Sequence, residues 1–351
     1  MDDFKSVAGK FFKGCGCLTV GFFVLMIIIG IFVDDDEKTD ETNGKDDTEQ
    51  VEGYKARGEK GDTAYKARVN EPLEGDPYQE LDDLTGLDDV KEEVRSLANF
   101  VKLQRQRQAQ GLKTPKMSYH LVFYGSPGTG KTTVARIVAR IYKDLGILKS
   151  GHTVETDRSG LVAKYMGQTA LKTNEIVDSA LNGVLFIDEA YSLVPENGNG
   201  SDYGQEAIST LLKRMEDDRD RLVVIIAGYK NEMKRFIDSN PGLQSRFTRY
   251  IDFPDYTADE LTEICKKQMK KNQYTMNRET EAFVRARMKY VVEHKDRNFG
   301  NARYSRNLFE KAIQHQANRL EGKRNLSKEE LTELTIEDFK AGFSSSTNIK
   351  Q

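Results

Sequence analysis

The sequence predicts an α/β protein: a doubly wound, mostly parallel sheet, then a small all-helical domain, behind one N-terminal hydrophobic helix. Three observations carry this. Short apolar runs alternate with helical patterns between about residues 118 and 253. Past Pro254 the strand runs stop and only helical periodicity continues. Residues 14–33, GCGCLTVGFFVLMIIIGIFV, hold no charge.

The elements follow in chain order. A stretch of roughly 20 apolar residues is what a helix needs to cross a bilayer core. The segment 14–33 meets that length, and it runs into Asp34, Asp35 and Asp36 without a cleavage pattern. It is therefore expected to be a retained transmembrane helix, after a short N-terminal segment at 1–13. Lys5, Lys10 and Lys13 precede it, while Lys38 and Lys45 follow. That small excess favours a cytoplasmic N-terminus. A nucleotide site in the main body argues for the opposite, so the bulk is placed in the cytoplasm. A monotopic segment acylated at Cys15 or Cys17 also reconciles the two. Residues 34–76 are rich in Asp, Glu, Lys, Gly and Thr with few apolar positions, which predicts an acidic flexible tether.

Order is expected from Tyr78. Leu87, Val90, Val94, Leu97 and Val101 recur at helical spacing. Strands are predicted at 118–125, 152–156, 184–187, 222–227 and 250–253. Helices are predicted after Lys131 and at about 169–182 and 204–216. Thr257 with Glu260 forms a capping box ahead of Leu261 and Ile264, and further helices are predicted at about 279–293 and 304–321. The sheet domain thus spans 77–254 and the helical domain 255–343, with a disordered tail at 344–351.

Composition excludes several classes. A net charge of −3 over 351 residues gives no reason to expect nucleic acid. Cys15, Cys17 and Cys265 are too few for a disulfide framework. The four histidines show no metal-site spacing, and no nucleophilic triad has a candidate motif.

Gly125, Ser126, Pro127, Gly128, Thr129, Gly130, Lys131 and Thr132 match G-x-x-x-x-G-K-[ST] in full, between a buried strand and a helix. The glycines let backbone N–H groups turn towards phosphate oxygens, and the following helix aims its positive end at the same anion. Lys131 supplies a charge to the β- and γ-phosphates, and the Thr132 hydroxyl ligates Mg²⁺. Thr133 completes the first helical turn. The apolar strand at 184–187 ends in Asp188, which holds the magnesium, and Glu189, which polarises the attacking water as general base. That second acid points to hydrolysis of ATP. His120 reads as a packed core residue.

With these motifs placed, the chain from Tyr78 to Phe343 resembles the AAA+ superfamily, and within it the CbxX/CfxQ branch. That branch includes red-type Rubisco activases and the stage V sporulation protein K group. The likeness is carried by LTGLDDVKEEV (84–94), FYGSPGTGKTTVAR (123–136), LVAKYMGQTA (161–170), VLFIDEAYSL (184–193), DYGQEAI (202–208), IIAGYK (225–230), NPGLQSRF (240–247) and GNARYSRNLFE (300–310). The resemblance implies a P-loop nucleotide-binding domain with a helical lid, assembled as a homo-hexamer. It implies that Lys164, Tyr165, Met166 and Gly167 form the pore loop that grips a protein client, against the alternative of a packed surface loop. Residues 195–201 are either a second pore loop or an ordinary connection. Arg246 resembles the arginine finger, with Arg249 as the alternative, and Arg303 the second sensor, with Arg306 as its rival. Gly86 and Leu87 are expected beside the adenine. The family's polar first sensor is replaced by Ala227-Gly-Tyr-Lys-Asn231, leaving Lys230 or Asn231 to serve.

The expected function is a membrane-tethered ATPase that remodels a protein client. The alternatives are a slowly turning nucleotide-gated scaffold and a Rubisco activase-like remodeller. The client, and any adaptor, are not encoded in a readable motif.

Overall fold

The computed structural model describes residues 67–115, 117–165, 167–194 and 203–346. The expected transmembrane segment at 14–33 and the tether up to residue 66 lie outside them. Among the described residues no helix is long and apolar enough to cross a membrane.

The sheet domain runs β1 (Arg68–Asn70), α1 (Pro77–Asp82), α2 (Asp88–Ala109), β2 (Leu121–Gly125), α3 (Lys131–Asp144), β3 (Thr153–Thr156), α4 (Arg158–Leu161), α5 (Thr169–Ser179), β4 (Gly183–Ile187), α6 (Tyr203–Asp217), β5 (Leu222–Gly228), α7 (Lys230–Asp238), α8 (Pro241–Arg246) and β6 (Arg249–Phe253). The helical domain holds α9 (Ala258–Lys271), α10 (Arg278–Glu293), α11 (Ala302–Leu320), α12 (Lys328–Thr332) and α13 (Ile336–Ser346).

Strand order is β1-β3-β4-β5-β2-β6. Every neighbour pair is parallel except β1 with β3. Side chains of successive strand residues point to opposite faces. Phe123, Val184, Phe186, Val223 and Ile225 accordingly pack on the face shared with α2 and α3. Val122, Leu185, Ile187, Val224 and Ile226 pack on the other, against α5, α6 and α7. Both faces are covered, which is why these strands read as unbroken apolar runs. The carboxyl ends of β2, β4 and β5 converge on one edge, where such sheets bind ligands.

The structure departs from the sequence expectations at several places. The expected tether ends early: Arg68–Asn70 add an antiparallel edge strand to β3, with Arg68 opposite Glu155. Three residues, two of them exposed, give too short a pattern to register as a strand. The first core strand begins at Leu121, not Ser118. Helices α7 and α8 form between the last two strands, where no helix was expected. The C-terminal helix continues to Ser346, past the expected end of order at Phe343.

The capping box at α9 is present as expected. Thr257 Oγ1 accepts from the Glu260 N–H at 3.2 Å, and the Glu260 carboxylate accepts the Thr257 N–H at 2.7 Å. Such caps contribute about 1 kcal/mol.

His120 is a core residue, as expected. Its Nδ1 accepts the Val224 backbone N–H at 2.9 Å, one residue before β2 pairs with β5. Burial, with the nearby Arg246 charge, lowers its pKa to about 4. The unfolded imidazole takes a proton near its ordinary value of about 6.5. In that window the unfolded chain binds more protons, so stability falls as pH falls from about 6.5 to 4. The loss reaches about 3 kcal/mol at 1.36 kcal/mol per pKa unit. Denaturant titrations at pH 7 and pH 5 should show about 2 kcal/mol of it, and His120→Gln should flatten that dependence.

Candidate functional site

At the convergent strand ends lies a cavity of about 530 Å³. The phosphate loop forms its floor. Gly128 has φ +74°, and a Cβ there would stand 2.1 Å from the Gly300 carbonyl oxygen, so no other residue fits. Gly130, at φ +98°, is the N-cap of α3 and offers no side chain to its first turn. The leading N–H groups of α3 are thereby left for a ligand, and the helix dipole favours an anion.

Lys131 is buried, and its Nζ donates to the carbonyls of Gly125 at 2.8 Å and Ser126 at 2.7 Å. Burial lowers its pKa, while the Asp188 charge opposes that fall. Gly125, Pro127, Gly128, Gly130, Lys131, Thr132 and Thr133 all line the cavity. Thr129 turns away, with its hydroxyl donating to the Ser126 carbonyl. Ser126 also lies on the outer side of the loop, beside Asp255.

The strand β4 delivers Asp188 and Glu189 to the same space. Asp188 accepts the Glu189 N–H at 3.1 Å. Glu189 adopts the left-handed conformation (φ 48°, ψ 43°), which costs a non-glycine residue roughly 1–2 kcal/mol. That turn opens the 3₁₀ segment Ala190–Leu193 and leaves the carboxylate exposed to the cavity. Burial, then the Glu189 charge and a hydrogen bond to Glu189, push the Tyr191 phenol up. Tyr191 thus lies beside this carboxylate.

Five basic side chains line the cavity (Arg68, Lys131, Arg136, Arg303 and Arg306) against three acidic ones (Glu155, Asp188 and Glu189). Arg136 is already paired with Glu155, its Nε donating at 2.6 Å. The excess positive charge suits a polyphosphate. Thr132 and Asp188 offer the hard oxygen donors that Mg²⁺ prefers, and a Mg²⁺ shared with phosphates needs only one or two protein ligands. Among the described residues there is no larger cluster of metal-ligating side chains.

The geometry matches a nucleoside triphosphatase, and the comparisons with known proteins fix the kind. Residues 121–255 match the model of the ATPase family associated with various cellular activities (AAA), and 257–349 match the AAA lid domain. Stage V sporulation protein K of Bacillus subtilis is 41% identical over 246 residues, covering 69% of this chain and 75% of the relative. The chain belongs to the AAA ATPase family, in its CbxX/CfxQ branch. The chloroplastic ribulose bisphosphate carboxylase/oxygenase activase of Cyanidioschyzon merolae is 45% identical over 261 residues, covering 73% of this chain and 87% of the relative. The solved FIGL-1 AAA domain has a TM-score of 0.54 at 18% identity, covering 76% of this chain and 82% of that one; it supports the fold.

As a member of the AAA family the chain binds and hydrolyses ATP. Other expected site residues sort by position. Arg303 and Arg306 lie one turn apart on α11 and both line the cavity; Arg303 also acts on Lys131 and lines the adjoining hollow. Gly86 and Leu87 do not line it. The left-handed turn at Leu87 (φ 60°) tucks that side chain into the core beside Gly130, and the Glu260 carboxyl closes over Gly86.

Lys230 and Asn231 do not line the cavity either. Tyr229 caps α7, so the two residues after it turn outward, and Lys230 pairs with Asp252. Gly228 and Tyr229 reach the cavity instead. Neither they nor Arg68, Arg136 and Tyr191 were legible as site residues. A lone Arg or Tyr carries no motif, and only β1 pairing places Arg68 at the sheet's carboxyl edge.

Arg246 ends α8 away from this cavity. Its guanidinium reaches the Gly242 carbonyl at 3.4 Å and Glu216 at 3.7 Å, and its buried Nε has no partner. Arg249 instead lies over the Phe100 ring, 5.1 Å from its centroid. Tyr165 is 65% exposed. Gly167 follows at φ +77° with open space around it. Met166 and residues 195–201 lie outside the described residues.

Proposed function

We propose that this AAA ATPase assembles as a homo-hexameric ring and uses ATP hydrolysis to remodel or thread a protein client, tethered to a membrane by residues 14–33 with its ATPase portion in the cytoplasm. The observation that carries this reading is a hollow beside the phosphate cavity. Glu189 and Arg303 line it together with Asp157, Val162, Ala163 and Lys164. The segment leading to the exposed Tyr165 therefore shares walls with the catalytic acid, so changes at the γ-phosphate are felt at the loop.

The mechanism follows from the residues. ATP enters against the α3 N-terminus, and Lys131 leaves the loop carbonyls for the β- and γ-phosphates. Thr132 and Asp188 would hold Mg²⁺, which would neutralise charge on the phosphate oxygens. Glu189 accepts a proton from water as its oxygen bonds to the γ-phosphorus, and the bond from that phosphorus to the ADP oxygen breaks. Arg246 of a neighbouring subunit stabilises the charge that builds up. Its poorly satisfied guanidinium supports that role over Arg249, whose place on Phe100 is a packing contact. Arg303 reports the γ-phosphate to the lid. The adenine lies beyond the cavity, towards Leu87 and the lid.

Site-specific crosslinking tests the client reading. With p-benzoylphenylalanine in place of Tyr165 and the Glu189→Gln substitution, the full chain should crosslink to another polypeptide in cells. The same probe combined with Lys131→Ala should not. Equal crosslinking in both, or none in either, would remove the threading role.

A further inference from the structure

Asn301 opens the second-sensor segment yet has no place in the scheme above. It is fully buried and holds φ 48°, ψ −122°, a conformation that belongs to glycine. Its carboxamide is fully used. Oδ1 accepts the Tyr256 N–H at 3.0 Å. Nδ2 donates to Asp255 Oδ1 at 2.9 Å and to the carbonyls of Pro127 and Phe299, each at 3.3 Å. Strain of this kind persists only where the surroundings over-determine it.

These bonds belong to a larger pattern. Three consecutive residues of the phosphate loop are tied by hydrogen bonds to the start of the lid, and Ser126 before them lies beside Asp255. The Pro127 carbonyl accepts from Asn301. The Gly128 carbonyl accepts the Ala302 N–H at 3.1 Å. The Thr129 carbonyl accepts the Tyr256 hydroxyl at 3.2 Å. Asp255 is steadied by Lys295; burial would raise its pKa, but bonds from Lys295, Asn301 and Ser126 outweigh that and lower it.

We propose that Asn301 is a positioning residue that couples phosphate binding to the lid through the backbone peptides of the phosphate loop. Each of these peptides has two ends. The carbonyls of Pro127, Gly128 and Thr129 face the lid, and the N–H groups of Gly128, Thr129 and Gly130, in the same peptide planes, are the motif's phosphate donors. A peptide whose N–H is bonded to an anion becomes a better acceptor at its carbonyl. Phosphate binding therefore strengthens the lid contacts, and by linkage a docked lid strengthens phosphate binding. The strained turn at Asn301 sets the Ala302 N–H on the loop and, one residue on, Arg303 on the cavity. This rests on Arg303 reading the γ-phosphate, and the test separates the two.

The experiment uses the full chain in a Glu189→Gln background, with fluorescent mant-ATP and mant-ADP as probes. Asn301→Gly relieves the backbone strain but deletes the carboxamide; Asn301→Asp keeps the shape and removes the donors. Both should weaken ATP about tenfold, within the range of ordinary coupling energies. Both should shrink the ATP:ADP preference. Combining either with Arg303→Ala should give no further loss of that preference, because the two act as one unit. A purely structural Asn301 would lower the thermal midpoint but leave the preference unchanged, and that result overturns the proposal, as does strict additivity. If Arg303→Ala alone leaves the preference unchanged, the sensor reading of Arg303 fails instead. Hydrogen exchange on the chain with native Asn301 and Arg303 gives a check without those variants. The Ala302 amide should exchange more slowly with ATP bound, and an unchanged rate overturns the coupling.

Discussion

Glu189→Gln should leave ATP binding intact and lower turnover by a factor of about 10² to 10⁴, the usual contribution of a general base. The carboxylate sits on a left-handed turn at the end of β4, exposed to the phosphate cavity and beside Tyr191. Glutamine preserves shape and hydrogen-bonding capacity but cannot take a proton from water. Because the Asp188 carboxylate and the phosphate loop are untouched, the affinity for ATP should change by less than about threefold, within the ordinary scatter of such effects. Phosphate release and equilibrium binding on the same preparation read both quantities. A variant that turns over ATP at the parent rate would show that another group activates the water. A variant that loses binding along with turnover would place Glu189 in the binding of substrate.

Lys131→Ala should act on the other quantity. In the structure the ammonium is buried against two loop carbonyls, and burial already pulls its pKa down. Much of the desolvation of this group therefore precedes the arrival of nucleotide. When phosphate enters, the ammonium trades neutral carbonyl partners for anionic ones. Hydrogen bonds to charged groups contribute about 1.5–3 kcal/mol. At about 1.4 kcal/mol per tenfold, loss of this one should weaken ATP roughly 10- to 100-fold. ADP, which lacks the γ-phosphate, should lose less. Displacement of a fluorescent nucleotide measures the two affinities.

Which parts were legible follows from how local each signal is. The phosphate loop and the two acids of β4 are contiguous motifs whose chemistry lies in adjacent residues, and the structure brings them to one cavity. The core strands were legible because both faces are buried, leaving apolar runs with no alternation to confuse. The α9 capping box was legible because its two partners lie three residues apart. What escaped depends on contacts distant in the chain. Arg68 reaches the site only through an edge strand whose partner, Glu155, is far along the sequence. Asn301 reads as one more polar residue until Pro127 and Asp255 are found beside it. Tyr229 was passed over for its polar neighbours, because the start of α7, which turns them outward, leaves no strong local mark. Leu87 was expected beside the adenine; its positive φ turns the side chain into the core beside Gly130, in keeping with its place in the apolar repeat with Val90 and Val94.

The account depends on the cavity above Gly125–Thr132 taking Mg·ATP. Calorimetric titration of the full chain with ATP, in the presence and absence of Mg²⁺, tests this most directly. Saturable binding near one nucleotide per chain, tighter with Mg²⁺ and weakened at least about tenfold by Lys131→Ala, is the predicted result. No heat of binding in a folded chain, or an isotherm indifferent to Lys131, would contradict it.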